Sequence, residues 1–494
     1  MILRDLIRDL KSEKINGNLN KEVKDIVYDS RQVEEGSLFV CIEGFKVDGH
    51  SFIGKAIQSG AVAVIIEKEI NEYHEGITYI KVADSREAMA YLSATFFDYP
   101  LKKLDLIGIT GTNGKTTTTY LIRNMMENSG RETGLIGTIK NIIADKTLPA
   151  TRTTPESLDL YSLYKKMLDA GLSKVVMEVS SHALDLKRVI NMQFKVGIFT
   201  NITQDHLDYH KSLEDYLKAK SKLFEQIKPG GYAVVNVDDP RSDYIIEASR
   251  GEVISYAINK DADIKAVDID LSPQGVSFRV EGKLNFIINM NLTGLFNVYN
   301  TLSAIGCGYA LGLSIDEIKD GLEKVEGVAG RFELVDEGQG FSVIVDYAHT
   351  PDGMENALKT ALEFVKGDII VVFGCGGDRD KDKRPKMGKM AVRYGDYAIL
   401  TSDNPRSEEP LNIIKDIEEG IKDSEIPYKI IPDRRDAIFY AIDKAEAEDM
   451  VIIFGKGHET YQIFKDKTIS FDDREVAREA LRSKNKGTET EGDK

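Results

Sequence analysis

The sequence has few cysteines, no long apolar run and no excess of positive charge. Its three cysteines, Cys41, Cys307 and Cys375, lie far apart in 494 residues, which excludes a disulfide framework or a clustered zinc site and favours a reducing, cytoplasmic compartment. The longest apolar runs, such as 61–66 and 369–373, fall far below the ~18 residues that span a bilayer. With 65 Lys and Arg against 81 Asp and Glu, the net charge of −16 argues against a nucleic-acid or membrane surface. An anionic ligand must therefore be held locally.

Length and composition indicate a globular chain of several domains. At ~150 residues per domain, the chain corresponds to roughly three units. Its hydrophobic fraction of 42% and charged fraction of 30% are typical of globular proteins. Residues 1–14 alternate apolar and charged side chains like a short amphipathic helix, so we expect no cleavable export signal. The polar tail from about residue 482 is expected to be disordered.

Short β-branched runs alternate with amphipathic stretches, and this pattern of βαβ units predicts an α/β protein. Tyr99-Pro100 marks one boundary because the residue before a proline resists helix. A second boundary falls near Arg331, after the glycine-rich segment 326–330. We therefore predict three domains, at 1–100, 101–331 and 332–494. The predicted strands are 26–28, 37–41, 62–67 and 78–82, then 104–110, 174–179, 195–200 and 232–237, then 341–345, 368–373, 397–400, 428–431 and 450–454.

A candidate phosphate loop follows strand 104–110. The strand runs into Gly111-Thr112-Asn113-Gly114-Lys115-Thr116 and then a helix, so backbone N–H groups and a helix N-terminus converge where a polyphosphate can sit. Lys115 would reach the β- and γ-phosphates, and the Thr116 hydroxyl would reach a Mg²⁺. The strict GxxxxGK[ST] pattern is not met, because residue 109 is isoleucine. A turn that merely needs glycines is the alternative, but the Gly-Lys-Thr run favours nucleotide binding.

Carboxylates and histidines follow two later strands. Glu178 ends the strand 174–179 at the edge where open α/β sheets bind ligands, so it is a candidate metal ligand or, alternatively, a surface acid. The loop 200–210 then contains two acids and two histidines. A single histidine is usually structural, but this combination favours a metal or phosphate site.

Lys220 interrupts an apolar stripe in a helix predicted over 212–227. It falls in line with apolar positions such as Leu217 and Phe224, so we expect it to face inward. The ordinary explanation is a lysine whose head reaches back to solvent. Alternatively, desolvation favours the neutral form of an amine, and a neutral amine can add CO₂ to form a carbamate, which is a carboxylate-like metal ligand. The residues alone leave both explanations open.

Taken together, these segments resemble the Mur ligase family, ATP-dependent amide-forming enzymes of peptidoglycan precursor synthesis. The resemblance covers essentially the whole chain in the family's domain order. Its motifs are TGTNGKTTT (110–118), EVSSHAL (178–184), TNITQDHLDYH (200–210), FNVYN (296–300), GVAGRFE (327–333), VDYAHTPD (345–352), GCGGDRDKDKRPKMG (374–388), DNPR (403–406) and GKGHE (455–459). It implies an N-terminal domain that binds the UDP-N-acetylmuramoyl group, a central phosphate-loop ATPase-like domain and a C-terminal Rossmann-like domain that binds an amino acid.

The resemblance also implies residue roles around ATP. The phosphates are assigned to Gly111, Thr112, Asn113, Gly114, Lys115, Thr116 and Thr117. Mg²⁺ is assigned to Thr116, Glu178, His206 and a carbamate on Lys220, which agrees with the inward position expected for that lysine. Asn297 and Asn300 match adenine-side residues, and Arg331, Asp346 and His349 match residues that close on ATP. The implied catalytic residues are Lys115, Lys220, His206 and Arg331.

The remaining motifs concern the two substrates to be joined. The acceptor, UDP-N-acetylmuramoyl-L-Ala-D-Glu, is assigned to Thr153, Thr154, Ser180 and Arg188, with Ser30 at its uridine end; Leu186 stands where some members have a polar ligand-binding residue. The tetrapeptide Asp403-Asn404-Pro405-Arg406 resembles the form in members that add meso-2,6-diaminopimelate, and Arg379, Gly455 and Glu459 match their other contacts. A planar Arg406 fork suits the second carboxylate of diaminopimelate, which lysine lacks.

The expected activity is therefore ATP-dependent addition of meso-diaminopimelate to the D-Glu of the acceptor through an acyl phosphate, by a cytoplasmic monomer without nucleic-acid or membrane partners. One alternative is the same ligase adding L-lysine. A second is a phosphate-loop kinase or ATPase, which would leave the glycine- and arginine-rich C-terminal loops without a role. A third is a non-catalytic nucleotide-binding protein, which the joint presence of Lys115, Glu178, His206 and Lys220 disfavours.

Overall fold

The computed structural model describes residues 1–45, 47–203, 209–272 and 274–491. Within these ranges the chain forms three α/β units in sequence order, each built on its own sheet. The predicted α/β class is confirmed. None of the described helices has the length and hydropathy of a membrane span.

The N-terminal unit is a five-stranded sheet in the order β1-β5-β4-β3-β2. Strands β2 to β5 run parallel, and β1 pairs antiparallel with β5. Apolar clusters lie on both faces of the sheet, because the inner strands β3 and β4 are buried throughout. The strands are β1 Ser12–Asn16, β2 Asp25–Val27, β3 Ser37–Val40, β4 Ala63–Ile66 and β5 Thr78–Val82; the helices are α1 Leu3–Leu6, α2 Ile53–Gln58 and α3 Ser85–Phe96.

The central unit contains an eleven-stranded sheet in the order β16-β15-β14-β13-β12-β11-β6-β10-β7-β8-β9. Seven strands in the middle of the sheet are parallel, in the order β14-β13-β12-β11-β6-β10-β7. Antiparallel strands extend both ends, β15 and β16 at one and β8 and β9 at the other. The strands are β6 Asp105–Thr110, β7 Thr133–Ile136, β8 Lys140–Ile143, β9 Lys146–Pro149, β10 Lys174–Glu178, β11 Phe194–Phe199, β12 Ile227–Asn236, β13 Glu252–Ala257, β14 Ile264–Ser272, β15 Gly275–Gly282 and β16 Phe286–Met290.

Helices cover both faces of this sheet and enclose two apolar cores. The first core includes side chains of α4, α9 and α10, and the second includes side chains of α5 and α7. The helices are α4 Lys115–Asn128, α5 Ser157–Asp169, α6 Ser181–Asp185, α7 Leu213–Ser221, α8 Ser242–Ala248, α9 Leu295–Ala310 and α10 Ile315–Glu323. This three-layer arrangement leaves the strand ends as the open edge.

The C-terminal unit has a six-stranded sheet in the order β17-β18-β22-β19-β20-β21, parallel except for β17, and a separate hairpin of β23 and β24. Two apolar cores again lie on opposite faces. The strands are β17 Glu333–Leu334, β18 Ser342–Asp346, β19 Ile369–Phe373, β20 Tyr397–Leu400, β21 Tyr428–Ile430, β22 Met450–Phe454, β23 Tyr461–Ile463 and β24 Thr468–Ser470; the helices are α11 Pro351–Leu362, α12 Lys383–Tyr394, α13 Pro410–Glu418, α14 Arg434–Lys444 and α15 Asp473–Glu491.

Two sequence-based expectations are corrected by the structure. The helix predicted over 212–227 ends at Ser221, and a short 3-10 turn over Phe224–Gln226 follows it. The tail expected to be disordered from residue 482 continues helix α15, because Arg482 pairs with Glu337 and Lys484 donates to three backbone carbonyls at the end of α14. Polar composition predicted disorder, but these contacts order residues 482–485.

A fully buried ion pair fixes the C-terminal unit. Arg434, the first residue of α14, donates through Nε and Nη2 to Asp473 at 2.7 Å each, and both side chains have no exposed surface. Arg434 also donates to the carbonyl of Phe454 at 2.8 Å, at the end of β22. One guanidinium group therefore joins helices α14 and α15 to the carboxyl end of the inner strand β22.

We expect Asp473→Asn to lower the free energy of unfolding of this unit by about 3 kcal/mol, because it leaves a buried guanidinium without its counter-charge. Hydrogen exchange of the β20 and β22 amides measures this loss of protection. Glu479→Gln is the matched control: it breaks the exposed pair of Arg435 and Glu479 between the same two helices and should change nothing measurable. Equal protection in the two variants would contradict the assignment.

Candidate active site

The loop after β6 has the geometry of a phosphate cradle. Gly111 and Gly114 have positive φ angles of 153° and 85°, and helix α4 begins at the next residue, Lys115. A Cβ atom on Gly111 would collide with the Thr200 hydroxyl, and one on Gly114 would collide with Asn300 Oδ1. The glycines are therefore required by space as well as by backbone conformation. The helix N-terminus behind them favours an anion.

Neighbouring loops hold this cradle in place. The backbone N–H of Asn113 donates to Asn201 Oδ1 at 3.0 Å, and the Thr200 hydroxyl donates to the backbone carbonyl of Asn113 at 2.6 Å. The Thr112 hydroxyl lies 3.3 Å from the Thr203 carbonyl, and Thr117 is buried in the first turn of α4. In the first turns of α9, the side-chain amide Nδ2 of Asn300 donates to Asn297 Oδ1 at 3.0 Å. Of the two asparagines predicted for the adenine side, Asn300 therefore lies beside the phosphate loop and Asn297 lies next to Asn300.

Two lysines converge on one carbonyl of the cradle. Lys115 Nζ lies 2.9 Å from the Gly111 carbonyl and 2.8 Å from that of Thr112. Lys220 Nζ donates to the same Gly111 oxygen at 2.7 Å and lies 4.2 Å from the centroid of the Tyr216 ring. Only 1% of the Lys220 surface is exposed, so its predicted inward orientation is confirmed. Two lysine side chains thus lie beneath the phosphate loop.

Oxygen atoms suited to a hard cation lie beside these lysines. The Thr116 hydroxyl donates to Glu178 Oε2 at 2.9 Å, and Glu178, at the end of β10, is almost fully buried. Thr138 donates to the same carboxylate through its amide at 2.7 Å and its hydroxyl at 3.0 Å. Hydroxyl and carboxylate oxygens are the donors that Mg²⁺ prefers, so these residues fit it. Among the described residues, no three His, Cys, Asp or Glu side chains form a metal cluster; His206 lies outside them.

Arg331 reaches this site from the segment that precedes the C-terminal sheet. Its Nη2 lies 3.0 Å from the Thr116 hydroxyl, and its guanidinium lies 4.8 Å from the centroid of the Tyr347 ring. At the end of β18, Asp346 accepts the amides of Phe332 and Ala348 at 2.7 Å each. Burial raises the pKa of Asp346, and Arg331 acts in the opposite direction. The Phe332 bond fixes the backbone next to Arg331 at the end of β18, and the Ala348 bond fixes the loop that follows this strand.

His349 and Asp352 follow on the same loop. His349 is exposed, and its Nδ1 lies 3.0 Å from the Tyr347 carbonyl. Asp352, in the first turn of α11, was not singled out from the sequence, but its Oδ2 accepts from Asn113 Nδ2 at 3.1 Å and from the Thr203 hydroxyl at 2.8 Å. Its only sequence signal was its place at the end of the motif 345–352. Asp352 therefore joins the C-terminal unit to the phosphate loop.

The residues expected to bind the acceptor form a second group at the same edge. The Thr154 hydroxyl lies 2.9 Å from the Glu178 carbonyl and 3.3 Å from Ser180 Oγ, and Arg188 Nη1 donates to the Thr154 carbonyl at 3.0 Å. Thr153 is linked to Thr138 by a hydroxyl contact of 3.1 Å. The structure thus brings four of the five predicted residues together.

Ser30, the fifth, is buried after β2 in the N-terminal unit. No hydrogen bond joins it to Thr153, Thr154, Ser180 or Arg188 in the described part of the chain. Two residues earlier, the Tyr28 hydroxyl donates to Asp159 of α5 at 2.8 Å. That bond places the Ser30 loop against the central unit.

Three arginines surround one carboxylate between the two units. Glu156 is 4% exposed and pairs with Arg152 at 2.7 Å, Arg188 at 2.9 Å and Arg86 of α3 at 3.1 Å. Of these four residues, only Arg188 was identified from the sequence, because the others carry no motif by themselves. Asp159 is a second carboxylate near these arginines, so three guanidinium groups face two carboxylates and leave a local excess of positive charge, which suits an anionic acceptor.

The tetrapeptide 403–406 lies against the loop 455–459 at the edge of the C-terminal sheet. Asn404 Nδ2 donates to Glu459 Oε2 at 2.8 Å. Gly455 has φ of 114°, and a Cβ atom there would collide with Asp403 Oδ2. Lys456, fully buried, pairs with Glu459 Oε2 at 3.0 Å. Pro405 is buried beside them.

Arg406 and Arg379 belong to the neighbouring loops at this edge. Arg406 Nη1 donates to the Gly377 carbonyl at 2.8 Å, and the residue is partly exposed. Arg379 is exposed, and its Nη1 donates to the Asp378 carbonyl at 3.0 Å. Both guanidinium groups therefore stand at the open rim with an unfilled share of their donors.

We expect Gly114→Ala to reduce affinity for an ATP analogue at least tenfold. The new Cβ atom would collide with Asn300, and the φ angle at this position is unfavourable for alanine. Isothermal titration calorimetry of the analogue with each purified variant measures this affinity. Gly171→Ala is the matched control, since φ there is 87° and a Cβ would meet nothing within 4 Å. Equal loss in both variants would show that strain elsewhere, rather than the cradle, controls binding.

Comparison with known families covers most of the chain. Residues 22–97 match the model described as the Mur ligase family catalytic domain, residues 109–308 the Mur ligase middle domain and residues 330–457 the Mur ligase glutamate ligase domain. These three segments correspond to the three sheets described above.

Individual relatives match over their full length. A UDP-N-acetylmuramoyl-L-alanyl-D-glutamate--2,6-diaminopimelate ligase of Clostridium perfringens is 49% identical, covering 98% of this chain and 100% of the relative. The ligase of the same name from Caldanaerobacter subterraneus is 48% identical, covering 97% and 99%. A solved structure with that name has a TM-score of 0.70 at 31% identity, covering 98% of this chain and 99% of the other. The chain belongs to the Mur ligase family.

Proposed function

We propose that this chain joins meso-2,6-diaminopimelate to the D-Glu side chain of UDP-N-acetylmuramoyl-L-Ala-D-Glu, with cleavage of ATP to ADP and phosphate. The observation that carries the proposal is the approach of the C-terminal unit to the phosphate cradle, where Arg331 lies 3.0 Å from the Thr116 hydroxyl and Asp352 accepts from Asn113. Its relatives of about 48% identity bear the name of this ligase over their full length. The enzyme would act in the cytoplasm as a monomer.

The reaction must bring two anions together. The D-Glu γ-carboxylate attacks the γ-phosphorus of ATP, ADP leaves, and an acyl phosphate forms. The amine of the amino acid then attacks the acyl carbon, loses a proton and expels phosphate. Because the first step opposes like charges, positioning and charge neutralisation supply most of the catalysis.

Lys115 and Arg331 are the residues of this chain that neutralise the transferred phosphate. Lys115 donates to the carbonyls of Gly111 and Thr112 in its own loop, so its ammonium group lies within the cradle, where it would bind phosphate oxygens. Arg331 approaches Thr116 from the opposite side, 3.0 Å from its hydroxyl. Asp352 would keep the C-terminal unit on the cradle through Asn113. Together they exclude water from the acyl phosphate.

Thr116, Glu178 and His206 would hold Mg²⁺, together with a carbamate formed on Lys220. When bound, the cation screens the charge of the triphosphate and the attacking carboxylate. Thr138 orients Glu178 through two hydrogen bonds. The burial of Lys220 against Tyr216 and the Gly111 carbonyl supports its role, because an amine removed from water is one that CO₂ can modify.

The C-terminal loops would select the amino acid. Arg406 would bind the distal carboxylate of diaminopimelate with its free guanidinium donors, and Arg379 the other carboxylate. Glu459 Oε2 is already occupied by Lys456 and Asn404, so Glu459 would take an ammonium group through Oε1. L-lysine lacks the distal carboxylate and would leave Arg406 unpaired. We therefore expect ten- to a few hundred-fold discrimination against it.

The direct test is phosphate release from ATP in the presence of the acceptor, with meso-diaminopimelate, with L-lysine and with no amine. We expect release with diaminopimelate, at least tenfold less kcat/KM with lysine, and none without amine, because the acyl phosphate needs a nucleophile. Preference for lysine would overturn the role of Arg406. Amine-independent release would instead make the protein an ATPase.

Removal of CO₂ tests the modification of Lys220. In buffers freed of CO₂ we expect wild-type activity to fall several-fold and to return on addition of bicarbonate, because the carbamate is reversible. Lys220→Ala should be inactive at every bicarbonate concentration, while Lys218→Ala, two residues earlier on α7 and on its outer face, should respond like the wild type. Full activity of Lys220→Ala would contradict the carbamate.

A further inference from the structure

The direction of the Arg406 side chain depends on a second loop. Residues 374–379 follow β19 and residues 401–408 follow β20; we call them the two recognition loops. The Gly377 amide donates to the Asn404 carbonyl at 2.9 Å, and Arg406 returns a bond to the Gly377 carbonyl at 2.8 Å. Any shift of one loop relative to the other would therefore re-aim the guanidinium.

Both recognition loops contain strained residues. Arg406 has φ of 52° and Asp378 has φ of 54°, in the left-handed region that is unfavourable for a residue with a Cβ atom. Ser407 pins Asp378 through its hydroxyl at 2.6 Å and its amide at 3.2 Å. Such conformations persist only where the surroundings over-determine them.

An ion pair behind the loops supplies that support. Arg384 of α12 is fully buried and donates to both Glu408 oxygens, at 2.8 Å and 3.0 Å. Glu408 Oε1 also accepts the Asp378 amide at 2.7 Å, and Arg384 Nη2 lies 3.4 Å from the Gly376 carbonyl. Glu408 belongs to the recognition loop 401–408, and both residues of the pair contact the backbone of the other recognition loop, at Asp378 and Gly376.

The charge on this pair is secure. The bonds from Arg384 lower the pKa of Glu408 to about 2, although burial acts in the opposite direction. The Arg384 side chain is buried and that of Glu408 is 18% exposed, and an ion pair that is largely removed from water is weak evidence for stability alone, since apolar residues of the same volume often serve as well. Its fork geometry is better suited to fixing two loops in register.

We propose that Arg384 and Glu408 are positioning residues that hold the two recognition loops so that Arg406 selects the amino acid. The inference rests on the proposed function and extends it to residues that need not touch either substrate. The phosphate cradle and Arg331 lie on other elements, so the pair should affect the amino acid and leave ATP binding unchanged.

The test is steady-state kinetics of Glu408→Gln in the full-length chain. We expect KM for meso-diaminopimelate to rise at least tenfold, the preference over lysine to fall by a similar factor, and KM for ATP to stay within twofold. Asp416→Asn is the matched control, because Asp416 accepts from the same Arg384 at 2.8 Å but is 45% exposed on α13 and bonds to neither loop. It should retain wild-type selectivity.

A double variant separates positioning from loss of folding. If Glu408 acts through Arg406, then adding Glu408→Gln to Arg406→Ala should cause no further loss of selectivity. Additive losses, or a parallel rise in KM for ATP, would overturn the proposal. Unchanged diaminopimelate selectivity in Glu408→Gln would overturn it while leaving the proposed function intact. Phosphate release without any amine in the wild type would overturn both.

Discussion

The two substrates that must react first, a carboxylate and a triphosphate, repel each other. This repulsion is the constraint that the active site has to overcome. The chain itself has a net charge of −16, so its surface as a whole offers no help to two anionic substrates. Positive charge is instead concentrated at one point, where Lys115 donates to the Gly111 carbonyl and Arg331 approaches Thr116. Because these side chains are held by backbone oxygens and packed rings, little reorganisation is needed when the anions meet.

The three units meet where this charge is needed. Parallel strands direct their carboxyl ends to a common edge, and the motifs follow those ends in both the central and the C-terminal sheet. Asp352 of the C-terminal unit accepts a hydrogen bond from Asn113 of the phosphate loop, and Arg86 of the N-terminal unit pairs with Glu156 of the central unit. Each unit thus contributes contacts to the site, which explains how a reaction among three substrates can proceed away from water.

Local patterns were sufficient to predict much of this arrangement. The α/β class, the cradle at 111–116 and the inward face of Lys220 depend on periodicity and on residues adjacent in sequence. Contacts between distant residues could not be predicted: Asp352 meets Asn113 across 239 positions, and Arg384 meets Glu408 only because α12 packs behind β20. The early end of α7 and the ordered residues 482–485 were missed for the same reason, since tertiary contacts rather than composition decide them.

Oxygen transfer within the reaction tests the central claim most directly. The acceptor is prepared with ¹⁸O in both oxygens of its D-Glu γ-carboxylate, and the phosphate released during amide formation is analysed by mass spectrometry. An acyl phosphate requires that one labelled oxygen leave with each phosphate and that the other remain in the amide. Released phosphate without ¹⁸O would mean that water, and not the carboxylate, attacks ATP, and this would contradict the account.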